Sequence, residues 1–225
     1  MIPLRDRNPS GVFPVVTLTL ILANVFVFLF EVQLGPSLVP FLKHYALIPA
    51  EVTGSLRYGS VSLTDTVRPF FTSMFLHGGW LHLIMNMWFL WIFGDNVEDT
   101  LGAFRYLLFY FLCGLGAALA QFAVQPQSTV PMLGASGAIA GVLGAYLVLF
   151  PGARVLTLVP VFFFLQVLEI PAVVILGYWF LLQILSGAIE SSGPMRGGVA
   201  YMAHIGGFLV GAVLILLMRP RKVTV

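Results

Sequence analysis

Three separated stretches of this chain carry side chains able to do chemistry. Ser136, flanked by Gly134-Ala135 and Gly137, heads the apolar run Leu133 to Phe150 and is its one strong nucleophile candidate. A serine in the first turn of a helix lies among free backbone N–H groups and at the positive end of the helix dipole, where developing negative charge is favoured. His204 can act as general base and later as acid if its helix approaches until imidazole and hydroxyl are within hydrogen-bond reach. His82 and Asn86 are four apart, project from one helix face, and with the Ser136 backbone N–H would donate to an oxyanion. Taken singly, each has a plainer reading. A Gly-x-Ser-Gly in a membrane helix is a packing motif, and a His/Asn pair bonds one helix to another.

The elements that must bring these residues together are membrane helices. The 225 residues are 59% hydrophobic and 9% charged, with a mean hydropathy of +0.99, a composition no water-soluble domain of this size keeps in solution. A net charge of +2 without a basic run gives no surface for nucleic acid. The single cysteine, Cys113, sits in an apolar run as an inert thiol, and no Cys/His cluster has zinc spacing, so neither metal nor other cofactor is expected.

Apolar runs predict an all-α polytopic protein, one domain over 1–225, with six spans at about 14–31, 80–94, 103–124, 134–150, 171–189 and 199–218. Residues 34–78 form the one long connection and read as interfacial helices associated with the membrane, with Phe70, Phe71 and Trp80 in an aromatic belt. Val155 to Leu168, apolar but broken by Pro160, is too short to span and reads as an interfacial or re-entrant piece. Pro171 fits the first turn of the fifth span, and 191–198 is a turn-rich loop.

With six spans both termini share a side. That side collects Arg5, Arg7, Arg105, Arg154, Arg219, Arg221 and Lys222, against Lys43, Arg57, Arg68 and Arg196 opposite, which puts the termini in the cytoplasm. The absence of a targeting tail leads us to expect a prokaryotic plasma membrane. The second, fourth and sixth spans then run inward and carry His82, Asn86, Ser136 and His204 within about 4 to 12 Å of their outer ends, a shared depth. The fourth is about 25 Å long against a hydrocarbon core of about 30 Å, so its serine end is sunk below the surface. Gly137, Gly141 and Gly144 on the fourth span, with Gly207 and Gly211 on the sixth, leave stripes without side chains on which two helices can close up.

Together, Gly134-Ala-Ser136-Gly137, Ala203-His204-x-x-Gly207-x-x-x-Gly211 and His82-x-x-x-Asn86 resemble the rhomboid family of intramembrane serine proteases, over nearly the whole length. The resemblance implies a six-helix bundle, Ser136 and His204 as a catalytic dyad, and His82 and Asn86 at the oxyanion hole. It also implies a role for Glu98 in bracing the first loop, a membrane-embedded loop over 34–78, and a lateral substrate gate on the fifth span with Trp179 and Phe180. The implied reaction cuts a substrate's transmembrane helix near its outer end, at small residues; the partners are then membrane-protein substrates, single-span or multi-span, and the lipid bilayer. One position departs from the pattern: many members carry an aromatic four residues after the serine, stacked on the histidine, and this chain has Ala140, so either something else holds the His204 ring or its orientation is looser.

Two other functions compete. A catalytically silent rhomboid-like protein would bind transmembrane clients, though it would have no need of both Ser136 and His204. A small transporter could use His82 and His204 as a proton relay, but the paired halves with broken helices usual in transporters are not evident. Asp95 and Asp99 lie too shallow for an aspartyl intramembrane protease, and a zinc protease would need a His-Glu-x-x-His. His44 and His77 read as loop or packing residues, Met85, Met87 and Met218 as core or lipid-facing, Glu169 as interfacial and Glu31 as the end of a helix.

Overall fold

The computed structural model describes residues 1–59, 62–191 and 198–218; most of the 191–198 loop, with Arg196, and the basic run 219–222 lie outside them. The chain opens on strand β1 (Ile2–Asp6), and the first apolar run forms α1 (Val15–Gln33). The long connection folds into four short helices, α2 (Leu38–Tyr45), α3 (Pro49–Tyr58), α4 (Leu63–Val67) and α5 (Pro69–Thr72). Then come α6 (Trp80–Leu101), α7 (Ala103–Val124) and α8 (Ser136–Leu149), the strands β2 (Arg154–Val161) and β3 (Phe164–Pro171), and the helices α9 (Ala172–Ser191) and α10 (Tyr201–Met218). Among the described residues four helices, α1, α7, α9 and α10, are long and apolar enough to cross a membrane, which makes this an integral membrane protein. Helix α8 is apolar but only 14 residues long, and α6 carries His82, Asn86 and the acidic run from Asp95.

Helix α8 is the axis of the bundle. Every residue from Ala138 to Tyr146 is buried, enclosed by α6, α7 and α10. Against α10 the packing is backbone on backbone. A Cβ at Gly207 would run into the Gly137 carbonyl, one at Gly211 into the Gly141 carbonyl, and one at Gly144 into the Phe208 carbonyl. No larger residue fits those positions without driving the helices apart.

The long connection is pinned to this bundle. Leu47 and Met132 exchange both backbone hydrogen bonds, at 3.1 and 2.7 Å, and the Gly134 N–H donates to the Ser73 carbonyl at 2.9 Å. Glu31, in the last turn of α1 and 2% exposed, accepts from the His77 backbone N–H at 3.2 and 3.3 Å. Phe70 does not join an aromatic belt; it is buried in edge contact with Phe122, whereas Phe71 and Trp80 are exposed.

Three segments differ from the sequence reading. The span expected to end at residue 94 continues as helix to Leu101, because its acidic end is partnered: Glu98 by Val16 and Thr17, Asp99 by the Gly11 N–H. Gly102, at φ +74°, then stops it. Residues 155–168, expected as an interfacial or re-entrant piece, are strand rather than helix. They make the β2–β3 hairpin, in which Val155, Thr157, Val159 and Val161 suit a strand, Pro160 sits beside the turn, and Phe162 takes the left-handed φ (54°) a tight hairpin turn needs. Pro171 closes β3, so α9 begins one residue later. Strand β1 pairs antiparallel with β2, giving a three-stranded sheet in the order β1-β2-β3 attached to a mostly helical fold.

Candidate active site

Each candidate side chain is delivered by the start of a helix. Ser136 is the first residue of α8, reached through Gly134 at φ +121°, a conformation that side-chain-bearing residues rarely adopt. A Cβ on Gly134 would also overlap the His82 imidazole, so this glycine sets how closely α6 comes to the serine turn. His82 and Asn86 lie in the first two turns of α6, and His204 in the first turn of α10.

The glycine seam brings the hydroxyl and the imidazole together: Ser136 Oγ lies 2.8 Å from His204 Nε2. Around them is a cavity of about 770 Å³ whose lining includes His82, Asn86, Ser136, Trp179 and His204. Among the described residues, the Ser136 backbone N–H has no hydrogen-bond acceptor, which leaves it free to donate to a bound group. His82 Nδ1 accepts from the Gly78 backbone N–H at 3.4 Å, which leaves its proton on Nε2, the nitrogen turned towards Gly134 and the serine turn. Asn86, 6% exposed, spends one amide hydrogen on the His82 carbonyl at 2.9 Å and keeps a second. The arrangement thus holds a hydroxyl beside a base, with three N–H donors near by.

His77, weighed as a packing residue, is 3% exposed with its ring 5.1 Å from that of His82. Burial, with the neighbouring His82, pushes its pKa down to about 4, so it stands as a neutral wall at neutral pH. Among the described residues, Glu98 makes no hydrogen bond to the 34–78 connection. Its carboxylate accepts the Val16 and Thr17 N–H groups, both at 2.8 Å, and so caps α1, whose preceding residue Pro14 offers no side-chain cap. The bracing of the connection falls to Glu31 instead.

The aromatic neighbour of His204 that Ala140 cannot supply comes from α9. Trp179 lies beside the His204 ring in a tilted pair, with centroids 5.9 Å apart and planes 35° apart, and Phe180 stacks on Phe208 of α10 at 4.4 Å. The two aromatics expected at a gate therefore hold α9 against α10. The sequence reading missed Gln183, whose Oε1 lies 2.8 Å from His204 Nδ1. Its signal was available: a carboxamide among the lipid-exposed leucines and isoleucines of an apolar helix calls for a polar partner.

Residues 64–221 match the profile described as a rhomboid domain, well over half of the chain. The chain is 35% identical over 157 residues to Rhomboid-like protein 11, chloroplastic, of Arabidopsis thaliana, covering 66% of this chain and 51% of that protein. To Rhomboid protease GluP of Bacillus subtilis it is 35% identical over 147 residues, covering 64% and 25%, and to Rhomboid protease AarA of Providencia stuartii 27% over 231 residues, covering 93% and 75%. It spans about half the length, or less, of two of these relatives. With the family profile running from the long connection through α10, the chain belongs to the rhomboid family.

Proposed function

We propose that this protein is an intramembrane serine endopeptidase in which Ser136 is the nucleophile and His204 the general base. The observation that carries the reading is the 2.8 Å contact between Ser136 Oγ and His204 Nε2 in the wall of an open cavity. Nε2 takes the hydroxyl proton as Oγ adds to the scissile carbonyl carbon. The oxyanion that forms is met by the Ser136 N–H, His82 Nε2–H and the free Asn86 amide hydrogen. His204 then passes its proton to the departing amine and the C–N bond breaks, leaving an acyl ester on Ser136. Water, deprotonated by the same nitrogen, attacks that ester and frees the serine.

The substrate is a transmembrane segment of another membrane protein, cut near the membrane face from which α6, α8 and α10 begin. A helical peptide bond is shielded by its own hydrogen bonds, so the segment has to unwind into the cavity, which favours small, helix-weakening residues at the cut. We read 1–225 as one domain with six spans, α6 and α8 included, and with both termini on the cytoplasmic, more basic side. A relative named for the chloroplast stands beside bacterial ones, so similarity does not single out the prokaryotic plasma membrane expected from the sequence.

The test is cleavage of a transmembrane reporter by the purified protein in detergent. Wild type should cut it, and Ser136→Ala and His204→Ala should each lose at least about a thousandfold in kcat. Wild type that binds the reporter without cutting it would make the chain a silent client-binding member of the family.

A further inference from the structure

In serine hydrolases with three catalytic residues, a buried acid holds the base in the right tautomer. Among the described residues no carboxylate hydrogen-bonds His204; its Nδ1 faces Gln183 Oε1 at 2.8 Å, on the ring edge away from Ser136. The carboxamide is itself oriented, since Gln183 Nε2 donates to the Trp179 carbonyl one turn back along α9, at 3.4 Å. That leaves the oxygen turned to the ring. A carboxamide oxygen can only accept, so Nδ1 must carry the proton and Nε2 must present its lone pair to the serine hydroxyl. Trp179 supplies the carbonyl that orients the amide and an indole 5.9 Å from the imidazole, so one turn of α9 sets the ring's tautomer and rotation.

We propose that Gln183 is the positioning residue of the dyad, setting the tautomer and rotation of the His204 ring with a neutral amide where other serine hydrolases use an acid. The proposal rests on the Ser136–His204 reading. It gives α9 a role in the chemistry itself: a displacement of this helix that moves Trp179 and Gln183 releases the base from its productive state.

The test uses the full-length protein in detergent with a transmembrane reporter, comparing wild type, Ser136→Ala, Gln183→Met and Gln183→Glu. Methionine keeps the length and removes the acceptor; glutamate keeps an oxygen at the same place. Gln183→Met should lower kcat about tenfold with KM unchanged, the worth of one hydrogen bond, and Gln183→Glu should stay closer to wild type than to the methionine variant. In protein labelled with 15N-histidine, with His204 assigned by difference from His204→Ala, wild type should show the proton on Nδ1, and Gln183→Met a proton shared between the two nitrogens. A methionine variant with wild-type kcat and an unchanged His204 spectrum would overturn the proposal. So would equal losses in both variants with the spectrum unchanged, which would mark packing alone. Ser136→Ala cleaving at the wild-type rate would instead overturn the dyad, a separate result.

Discussion

The α8–α10 seam and the sheet-bearing flank beside α6 hold their parts in opposite ways. Along the seam, glycines 137, 141, 144, 207 and 211 set carbonyls of one helix where a Cβ on the other would have to go, and the nine central residues of α8 are buried. On the flank, β1 and the chain after it hang from α6 by polar side chains. Trp88 Nε1 donates to the Pro3 carbonyl at 2.7 Å, Asn96 bonds Asn8 and Asp6, and Asp99 accepts from Gly11. Strand β3 leaves six of its eight residues exposed, and the hairpin tip, Phe162 and Phe163, is 95% and 98% exposed. Backbone contact fixes a distance and leaves no slack; side-chain contact fixes a connection and tolerates local change. The dyad straddles the seam, which is where a hydroxyl must be kept at hydrogen-bond distance from a base.

The sharpest way to break this contrast is to put a side chain into the seam. Gly211→Leu should push α10 off the Gly141 carbonyl, lower the yield of folded protein in detergent, and cut cleavage per folded molecule by at least about a hundredfold, since even about 1 Å of misplacement costs that much. A folded Gly211→Leu with wild-type kcat would show that the seam does not set the dyad. Next comes Glu98→Ala, which strips two charge-assisted hydrogen bonds from the start of α1. It should lower the unfolding free energy by about 3 kcal/mol, read by thermal unfolding, with cleavage per folded molecule retained.

A smaller effect is expected at Asp6. This carboxylate is 9% exposed, accepts from Tyr146 Oη at 2.8 Å and faces Asp95; burial, outweighing the Tyr146 bond, raises its pKa to about 6. An acid whose pKa is higher folded than unfolded favours the fold while protonated, and that contribution is lost as pH rises from about 4 through about 6. The wild-type melting temperature should carry a falling component across that window, and Asp6→Asn, which keeps the acceptor for Tyr146, should remove it. An identical pH dependence in the two proteins would contradict the assignment. Smallest of all, Phe163→Ser at the hairpin tip should change stability by no more than about 0.5 kcal/mol and leave cleavage as it was.

The same contrast explains what the sequence could tell. The helices and the approach of α8 to α10 are legible because apolar runs and glycine spacing are local signals that do not depend on what packs against them. The hairpin was not: a fourteen-residue apolar stretch with a central proline fits several structures, and its partner, Ile2–Asp6, lies about 150 residues away in sequence. Glu98 shows a residue matched to a family pattern but attached elsewhere, because which free N–H groups a carboxylate caps depends on helix placement rather than spacing. Gln183 is less legible because the usual partner of a histidine base is an acid, although a lone carboxamide amid exposed leucines stands out.

The central claim, a serine made nucleophilic by a histidine from another helix, is tested most directly by labelling. A fluorophosphonate probe should form a covalent adduct located at Ser136 by peptide mass spectrometry, and the adduct should be lost in His204→Ala. Labelling of folded wild type at some other residue, or undiminished labelling of Ser136 in the His204→Ala protein, would contradict it.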